Sequence, residues 1–185
     1  MQLYLIRHPQ PLVDADVCYG SSNVDVVADS LANITEHLIE ILPQGLPVYT
    51  SPLLRCMVLA KQLAARLNCA APSADVRLQE LHFGAWEMQR WGDIPYAEVD
   101  AWAADIPNYC PGGGESLVQM AQRVLDFRAD VMDRGQDSIV VCHAGSMRLL
   151  LASQHRTDAV GVAQWAAEQP LHPAWGELQR LMLGT

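Results

Sequence analysis

The sequence is poor in positive charge and contains only one lysine, Lys61. Its 12 Lys and Arg residues face 21 Asp and Glu residues, which gives a formal net charge of −9 at pH 7. Nucleic-acid affinity rests on cationic side chains that meet phosphates, so an acidic chain is a poor candidate for that partner. We therefore predict no nucleic-acid partner.

Long apolar segments and paired cysteines are also missing. No apolar run reaches the roughly 18 residues that a membrane span needs. The start of the chain lacks the charged, apolar and small-residue regions of a signal peptide. The five cysteines form no C-x-x-C pair and no Cys/His cluster at zinc spacing. These absences predict a cytoplasmic protein with reduced thiols, no membrane partner, no metal site and no cofactor.

The order of apolar runs predicts an α/β fold. With 185 residues the chain has the length of one domain, residues 1–185. Periodicity and turn residues predict strands at about 2–6, 46–50, 75–79, 138–142 and 175–183. Helices are predicted at about 27–42, 52–68, 96–104, 117–134, from 145 onward and at 158–168. Alternation of this kind predicts a three-layer sandwich with a mostly parallel central sheet and helices on both faces.

Four of the predicted strands end on residues that carry chemistry. The first is followed by Arg7 and His8, the second by the run Ser51 to Arg55, the third by Glu80 and the fourth by His143. In open α/β sheets, ligands bind beyond the carboxyl ends of the strands. We expect these side chains to share one edge of the sheet.

This set of residues suits a phosphoryl group. Arg7 and Arg55 can each clamp oxygens through two parallel hydrogen bonds. Helix N-termini after Ser51, which is a natural N-cap, and after Ala144 would add exposed N–H groups.

The same edge could also supply a nucleophile and an acid. A neutral histidine can attack phosphorus, and Glu80 could protonate the departing alkoxide. Each feature alone has a plainer interpretation: an Arg-His pair at a strand end is more often structural, and a glycine run such as Gly112–Gly114 is usually only a loop. Their joint occurrence at strand ends indicates phosphoryl transfer.

The motifs resemble those of the histidine phosphatase superfamily, also called the phosphoglycerate-mutase-like family. The matching stretches are Arg7-His8-Pro9 (R-H-G in the family), Ser51 to Cys56 (S-P-L-x-R-A), Leu78 to Glu87, Pro111 to Ser116 and His143 to Arg148. The resemblance implies the phosphoglycerate-mutase-like fold, with His8 as the phosphorylated nucleophile. It also implies that Arg7, Arg55 and His143 bind the phosphoryl group, and that Glu80 rather than Glu87 donates the proton.

Departures from the family pattern bear on the substrate. Proline stands at position 9 in place of the usual glycine, and the later Cys18-Tyr19-Gly20 resembles the α-ribazole phosphatase branch of cobalamin biosynthesis. That branch often continues with arginine, where this chain has serine. The resemblance implies these substrate-binding residues: Gln10, Tyr19, Gly20, Ser21 and Ala144.

The loops at 81–114 are predicted to form a cap over the site. Four aromatic residues there could form a wall for a ring-bearing substrate or could simply bury against the sheet: Trp86, Trp91, Trp102 and Tyr109. The resulting hypothesis is a metal-independent phosphomonoester hydrolase that acts on a small-molecule phosphate ester through a phosphohistidine, with α-ribazole phosphatase as its more specific form. A broad-specificity phosphatase, a phosphoglycerate-type mutase and a non-catalytic phospho-ligand binder stay open, as does the oligomeric state.

Overall fold

Five strands form one sheet in the computed structural model, which describes residues 1–169 and 171–184. They are β1 (Gln2–Arg7), β2 (Val48–Thr50), β3 (Ser73–Ala74), β4 (Ser138–Cys142) and β5 (Leu178–Met182). Their order across the sheet is β3-β2-β4-β1-β5. The first four run parallel, and β5 pairs antiparallel with β1. The predicted mostly parallel sheet is thereby confirmed.

Six α-helices lie within these described residues, and all except α3 pack against the faces of this sheet. They are α1 (Ala28–Ile41), α2 (Leu54–Arg66), α3 (Tyr96–Ala104), α4 (Leu117–Arg134), α5 (Ala144–Ala152) and α6 (Ala159–Glu168). No helix in the described ranges is long and apolar enough to cross a membrane.

Side chains along the central strands alternate between the two faces of the sheet, and this alternation divides the hydrophobic core into two halves. Leu3 and Leu5 of β1 pack with α4, α5 and α6, whereas Tyr4 and Ile6 pack with α1 and α2. All five residues of β4 are buried, as expected for a parallel strand covered on both faces. The three-layer sandwich predicted from the sequence is therefore confirmed. All five cysteines are free, and Cys56 and Cys142 are completely buried in this core.

The strand predicted at 75–79 is wrong. Strand β3 is confined to Ser73–Ala74, and Val76–Leu78 forms a 3₁₀ turn. The Asp75 side chain caps that turn by accepting a hydrogen bond from the Arg77 backbone N–H at 2.9 Å. This local bond competes with the sheet ladder, so the chain leaves the sheet before Glu80.

Ser51 is not the N-cap of α2, since this helix begins at Leu54. The amide of Leu54 donates instead to the Asn23 side chain at 2.7 Å. A capping box begins α4: the Ser116 hydroxyl accepts from the Gln119 N–H, and the Gln119 side chain accepts from the Ser116 N–H.

The glycine run before α4 packs backbone to backbone against the segment after Glu80. A Cβ atom at Gly114 would lie 2.1 Å from the His82 carbonyl oxygen, and one at Gly112 would lie 2.4 Å from the Phe83 oxygen. The Glu115 N–H donates to the His82 carbonyl at 2.8 Å. Residues 82–86 and 112–115 therefore join the two ends of the long excursion between β3 and α4.

Replacement of Gly114 by alanine should destabilise the protein, because the added methyl group meets rigid backbone. We expect a loss of about 1–3 kcal/mol in the free energy of unfolding, measured by chemical denaturation. Gly92→Ala is the matched control, since a Cβ atom there meets nothing within 4 Å. Equal stability of the two variants would contradict this account of the glycine run.

Candidate active site

Two buried histidines lie side by side at the carboxyl edge of the sheet. Arg7 of β1 is in register with Cys142 of β4, so the residues that follow, His8 and His143, leave the sheet together. The His8 N–H donates to the Cys142 carbonyl at 3.0 Å. The two ring centroids are 5.1 Å apart, with the rings inclined at 61°.

One ring nitrogen of His8 is fixed by the backbone. The Nδ1 atom lies 2.7 Å from the Pro9 carbonyl oxygen, and since a carbonyl only accepts, Nδ1 carries the proton. The Nε2 atom of the neutral ring therefore keeps its lone pair. Burial, followed by the charge of Arg55, lowers the pKa of His8 to about 3, against a smaller rise from the Pro9 hydrogen bond. His8 is accordingly neutral at neutral pH.

His143 is held in the opposite tautomer. Arg55 Nε donates to its Nδ1 at 3.2 Å, which leaves the proton on Nε2 to be donated to the Ser51 hydroxyl at 2.8 Å. Burial, with a further contribution from Arg55, holds the pKa of His143 well below its ordinary value. Sequence reasoning missed this role of Ser51. The available signal was its position directly after β2, the strand that pairs with β4.

Arg55 is fully buried and joins His143 to the loop after β1. Its Nη1 and Nη2 atoms donate to the carbonyl oxygens of Ser22 at 2.7 Å and Gly20 at 2.6 Å. Its guanidinium carbon also lies 5.2 Å from the centre of the Tyr19 ring. Each Nη atom retains a further N–H that an incoming anion could accept.

Arg7 is the second cation of this edge. Its Nη1 donates to the Pro173 carbonyl, and its guanidinium lies over the Trp175 ring at 5.8 Å. Its buried Nε finds no hydrogen-bond acceptor within residues 1–169 and 171–184. The positive charge of Arg7 contributes to lowering the pKa of both His8 and His143.

Glu80 faces the first turn of α5. Its two carboxylate oxygens accept from the N–H groups of Leu81 and Gly145, each at 3.1 Å. A Cβ atom at Gly145 would lie 2.1 Å from Glu80 Oε1. The glycine of the His143-Ala144-Gly145 motif therefore makes room for this carboxylate.

Glu87, the other acidic residue of the same motif, has a different environment. It accepts from the Ser21 N–H and hydroxyl, the Ser22 hydroxyl and the Phe83 N–H. Burial opposes ionisation, but hydrogen bonds from Ser22 and Ser21 outweigh it and lower the pKa of Glu87. The hydrogen bonds of Glu87 therefore tie the loop after β1 to the segment around Phe83.

A cavity of about 390 Å³ opens beside Glu80. Three of the predicted substrate-binding residues, Tyr19, Gly20 and Ala144, line it. Ser21 lines a neighbouring polar recess and is hydrogen-bonded to Glu87. Gln10 is exposed and is not among the described residues that line the cavity; its N–H donates to the Ser30 hydroxyl.

Two of the four aromatic residues considered for a wall line the cavity. Trp91 and Trp102 line the cavity, stacked at 6.1 Å with their rings 10° from parallel. Trp86 is buried, donates to the Glu98 carboxylate at 2.7 Å and packs against Tyr109 behind the wall. Phe83, which sequence reasoning missed, completes the lining.

Arg148, the last residue of the histidine motif, connects α5 to α6. Its Nη2 donates to the carbonyl oxygens of Ala166 and Gln169. Its side chain also lines the cavity. Within the described ranges, no group of three or more His, Cys, Asp or Glu side chains is placed to hold a metal ion.

The fold and the site together define the class: an α/β protein with two neutral histidines and two arginines at the carboxyl edge of its sheet. The chain belongs to the histidine phosphatase superfamily, branch 1, whose family model matches residues 3–169.

Curated relatives include two phosphatases from enteric bacteria. The chain is 31% identical over 97 residues to the adenosylcobalamin/alpha-ribazole phosphatase of Salmonella typhimurium, covering 50% of this chain and 48% of that protein. It is 29% identical over 163 residues to the protein of the same name from Escherichia coli, covering 82% and 78%. The match thus spans about half of the length of the first relative and over three quarters of the second.

Solved structures share the fold. The alpha-ribazole phosphatase from Shigella flexneri superposes with a TM-score of 0.83 at 23% identity, over 100% of this chain and 91% of that one. The mycobacterial glucosyl-3-phosphoglycerate phosphatase superposes with a TM-score of 0.77, also at 23% identity, over 97% and 88%. These likenesses establish the phosphoglycerate-mutase-like architecture.

Proposed function

We propose that the protein is a metal-independent phosphomonoesterase that works through a phosphohistidine on His8. The observation that carries this proposal is the buried His8 ring, whose Nδ1 donates to Pro9 and whose Nε2 is left as a nucleophile. Because the pKa of His8 is lowered to about 3, the ring needs no general base before it attacks.

In the first step, His8 Nε2 attacks phosphorus and the bond between phosphorus and the ester oxygen breaks. Arg7 and Arg55 offer N–H donors to the phosphoryl oxygens, in a buried site where such interactions are strong. His143, whose two ring nitrogens are bonded to Arg55 and Ser51, orients Arg55. Glu80, in its protonated form, gives its proton to the departing alkoxide.

In the second step, water attacks the phosphohistidine. The Glu80 carboxylate takes a proton from that water, and the bond between His8 Nε2 and phosphorus breaks. Inorganic phosphate leaves, and both His8 and Glu80 return to their starting states. A non-catalytic binder would have no use for a carboxylate that lines the cavity and is bonded to the first turn of α5, directly after His143.

Replacement of His8 by alanine should abolish the covalent step. We expect hydrolysis of p-nitrophenyl phosphate to fall by at least about 10³-fold. Acid-labile radiolabel from a ³²P-ester should also be trapped on the native protein and not on the variant. His37→Ala, on the exposed side of α1, is the matched control and should retain activity. Undiminished turnover in His8→Ala, or loss of the native activity in EDTA, would contradict the mechanism.

Replacement of Glu80 by glutamine should slow poor leaving groups more than good ones. An alkoxide needs a proton and a nitrophenolate does not, so we expect kcat/KM for an alkyl phosphate to fall by about 10²-fold relative to the aryl ester. Gly145→Ala is the companion variant, because its methyl group displaces the carboxylate instead of removing it. Equal slowing of both esters in Glu80→Gln would remove Glu80 from the acid role.

The residues that line the cavity favour a substrate whose leaving group is flat and apolar. Of the described residues that line it, Arg148 is the only cationic one, and the walls are formed by side chains such as Trp91, Trp102 and Phe83. A mutase that must retain a carboxylate-bearing phosphate would need more cations there. The stacked Trp91–Trp102 pair offers a ring surface beside Glu80.

We propose α-ribazole phosphate as the preferred substrate. Its leaving group carries an aromatic ring, and two curated relatives are named adenosylcobalamin/alpha-ribazole phosphatase. In a panel with phosphoserine, 3-phosphoglycerate and glucosyl-3-phosphoglycerate, kcat/KM should be highest for α-ribazole phosphate. Trp91→Ala should lower that value by about 10-fold and change the value for phosphoserine much less. A preference for one of the other esters, or an equal loss on both, would refute this assignment.

A further inference from the structure

The residue proposed as the acid lies on a segment that the sheet does not hold. Strand β3 ends at Ala74, and the chain from Gln79 to Phe83 forms neither helix nor strand. Its carbonyl groups therefore lack the regular partners that fix His8 and His143 at the ends of β1 and β4. The position of Glu80 must depend on other contacts.

One side chain of α4 supplies several of these contacts. Arg123 Nη1 donates to the carbonyl oxygens of Arg77 and Gln79, both at 2.7 Å. Its Nη2 donates to the Glu80 carbonyl at 3.2 Å. A single guanidinium thus fixes three carbonyl groups of the segment that leads to and includes Glu80.

Glu115 holds Arg123 in this orientation. Its two carboxylate oxygens accept from Arg123 Nε at 2.7 Å and Nη2 at 2.8 Å. The side chains are only 21% and 19% exposed, so water screens this ion pair weakly. The backbone N–H of Glu115 also donates to the His82 carbonyl at 2.8 Å. The pair therefore fixes the chain on both sides of Glu80.

The carboxylate of Glu80 has little room to compensate for a movement of its backbone. It is bound by the N–H groups of Leu81 and Gly145, and the Gly145 Cα is too close for even a methyl group to intervene. A displacement of the backbone by a fraction of an ångström would change the distance and the angle between the Glu80 carboxyl group and the ester oxygen.

We infer that Arg123, oriented by Glu115, is a positioning residue that aims the Glu80 carboxylate at the leaving-group oxygen. This inference rests on the proposed role of Glu80 as the acid. It also assigns a task to the Gly114-Glu115-Ser116 motif, whose glutamate the reaction itself does not use. Arginine suits this task because its planar fork reaches several acceptors at once, which an ammonium group cannot do.

The test compares alkyl and aryl phosphates within each preparation, so that the ratio of the two kcat/KM values does not depend on the folded fraction. In Arg123→Gln the alkyl-to-aryl ratio should fall by about 10- to 100-fold. Arg123→Lys and Glu115→Gln, which disturb folding less, should show smaller shifts in the same direction. Arg77→Gln, on the same segment as Glu80, is the matched control: it removes ion pairs to Asp75 and to Asp130 of α4, and its ratio should stay unchanged.

A double variant shows whether Arg123 acts through Glu80. In the Glu80→Gln background, Arg123→Gln should lower the ratio no further. An equal loss on both esters in Arg123→Gln, or a full additional drop in the double variant, would overturn the inference while leaving Glu80 as the acid. An unchanged ratio in Glu80→Gln alone would instead overturn the acid assignment, and the positioning role with it.

Discussion

The parallel pairing of β1 with β4 is the constraint on which the site depends. It places His8 and His143 at the same height beyond the sheet, with the His8 N–H bonded to the last carbonyl of β4. Side chains alternate between the two faces along a strand, so a slip of one residue would exchange the positions of Arg7 and His8 relative to the core. The burial of every residue in β4 makes such a slip costly. The reactive geometry is thus set by the hydrophobic core.

The same burial determines the charge of the site. Both imidazoles are neutral because water is excluded and because arginines are their charged neighbours. Arg55 is fully buried, and within the part of the chain described by the structure no carboxylate forms an ion pair with it. A buried cation without a counter-ion is costly. A phosphoryl group would supply the missing negative charge, so the environment of Arg55 is suited to an anion.

Much of this arrangement was predictable because its signals are local. Helix α3, helix α4 and strand β4 lie where periodicity and turn residues predict them. One of the errors has a local cause, and the others have long-range causes. Asp75 diverts the chain into a turn, Ser51 bonds to His143 across the sheet, and Trp86 packs inward while Phe83 faces the cavity. A one-dimensional pattern identifies an aromatic residue but does not fix the direction in which its ring points.

The two halves of the site are stabilised in different ways, and this difference bears on specificity. Regular strands fix His8, the proposed nucleophile, and the carbonyl groups of Cys142 and Pro9 orient it. The proposed acid, Glu80, and the aromatic wall of the cavity lie on the excursion after β3, which depends on Arg123, Glu87 and the close glycine contacts. Residues of that excursion can change without disturbing the β1–β4 register. A protein built in this way can keep one phosphoryl-transfer chemistry while the leaving group that it accepts changes with the loop.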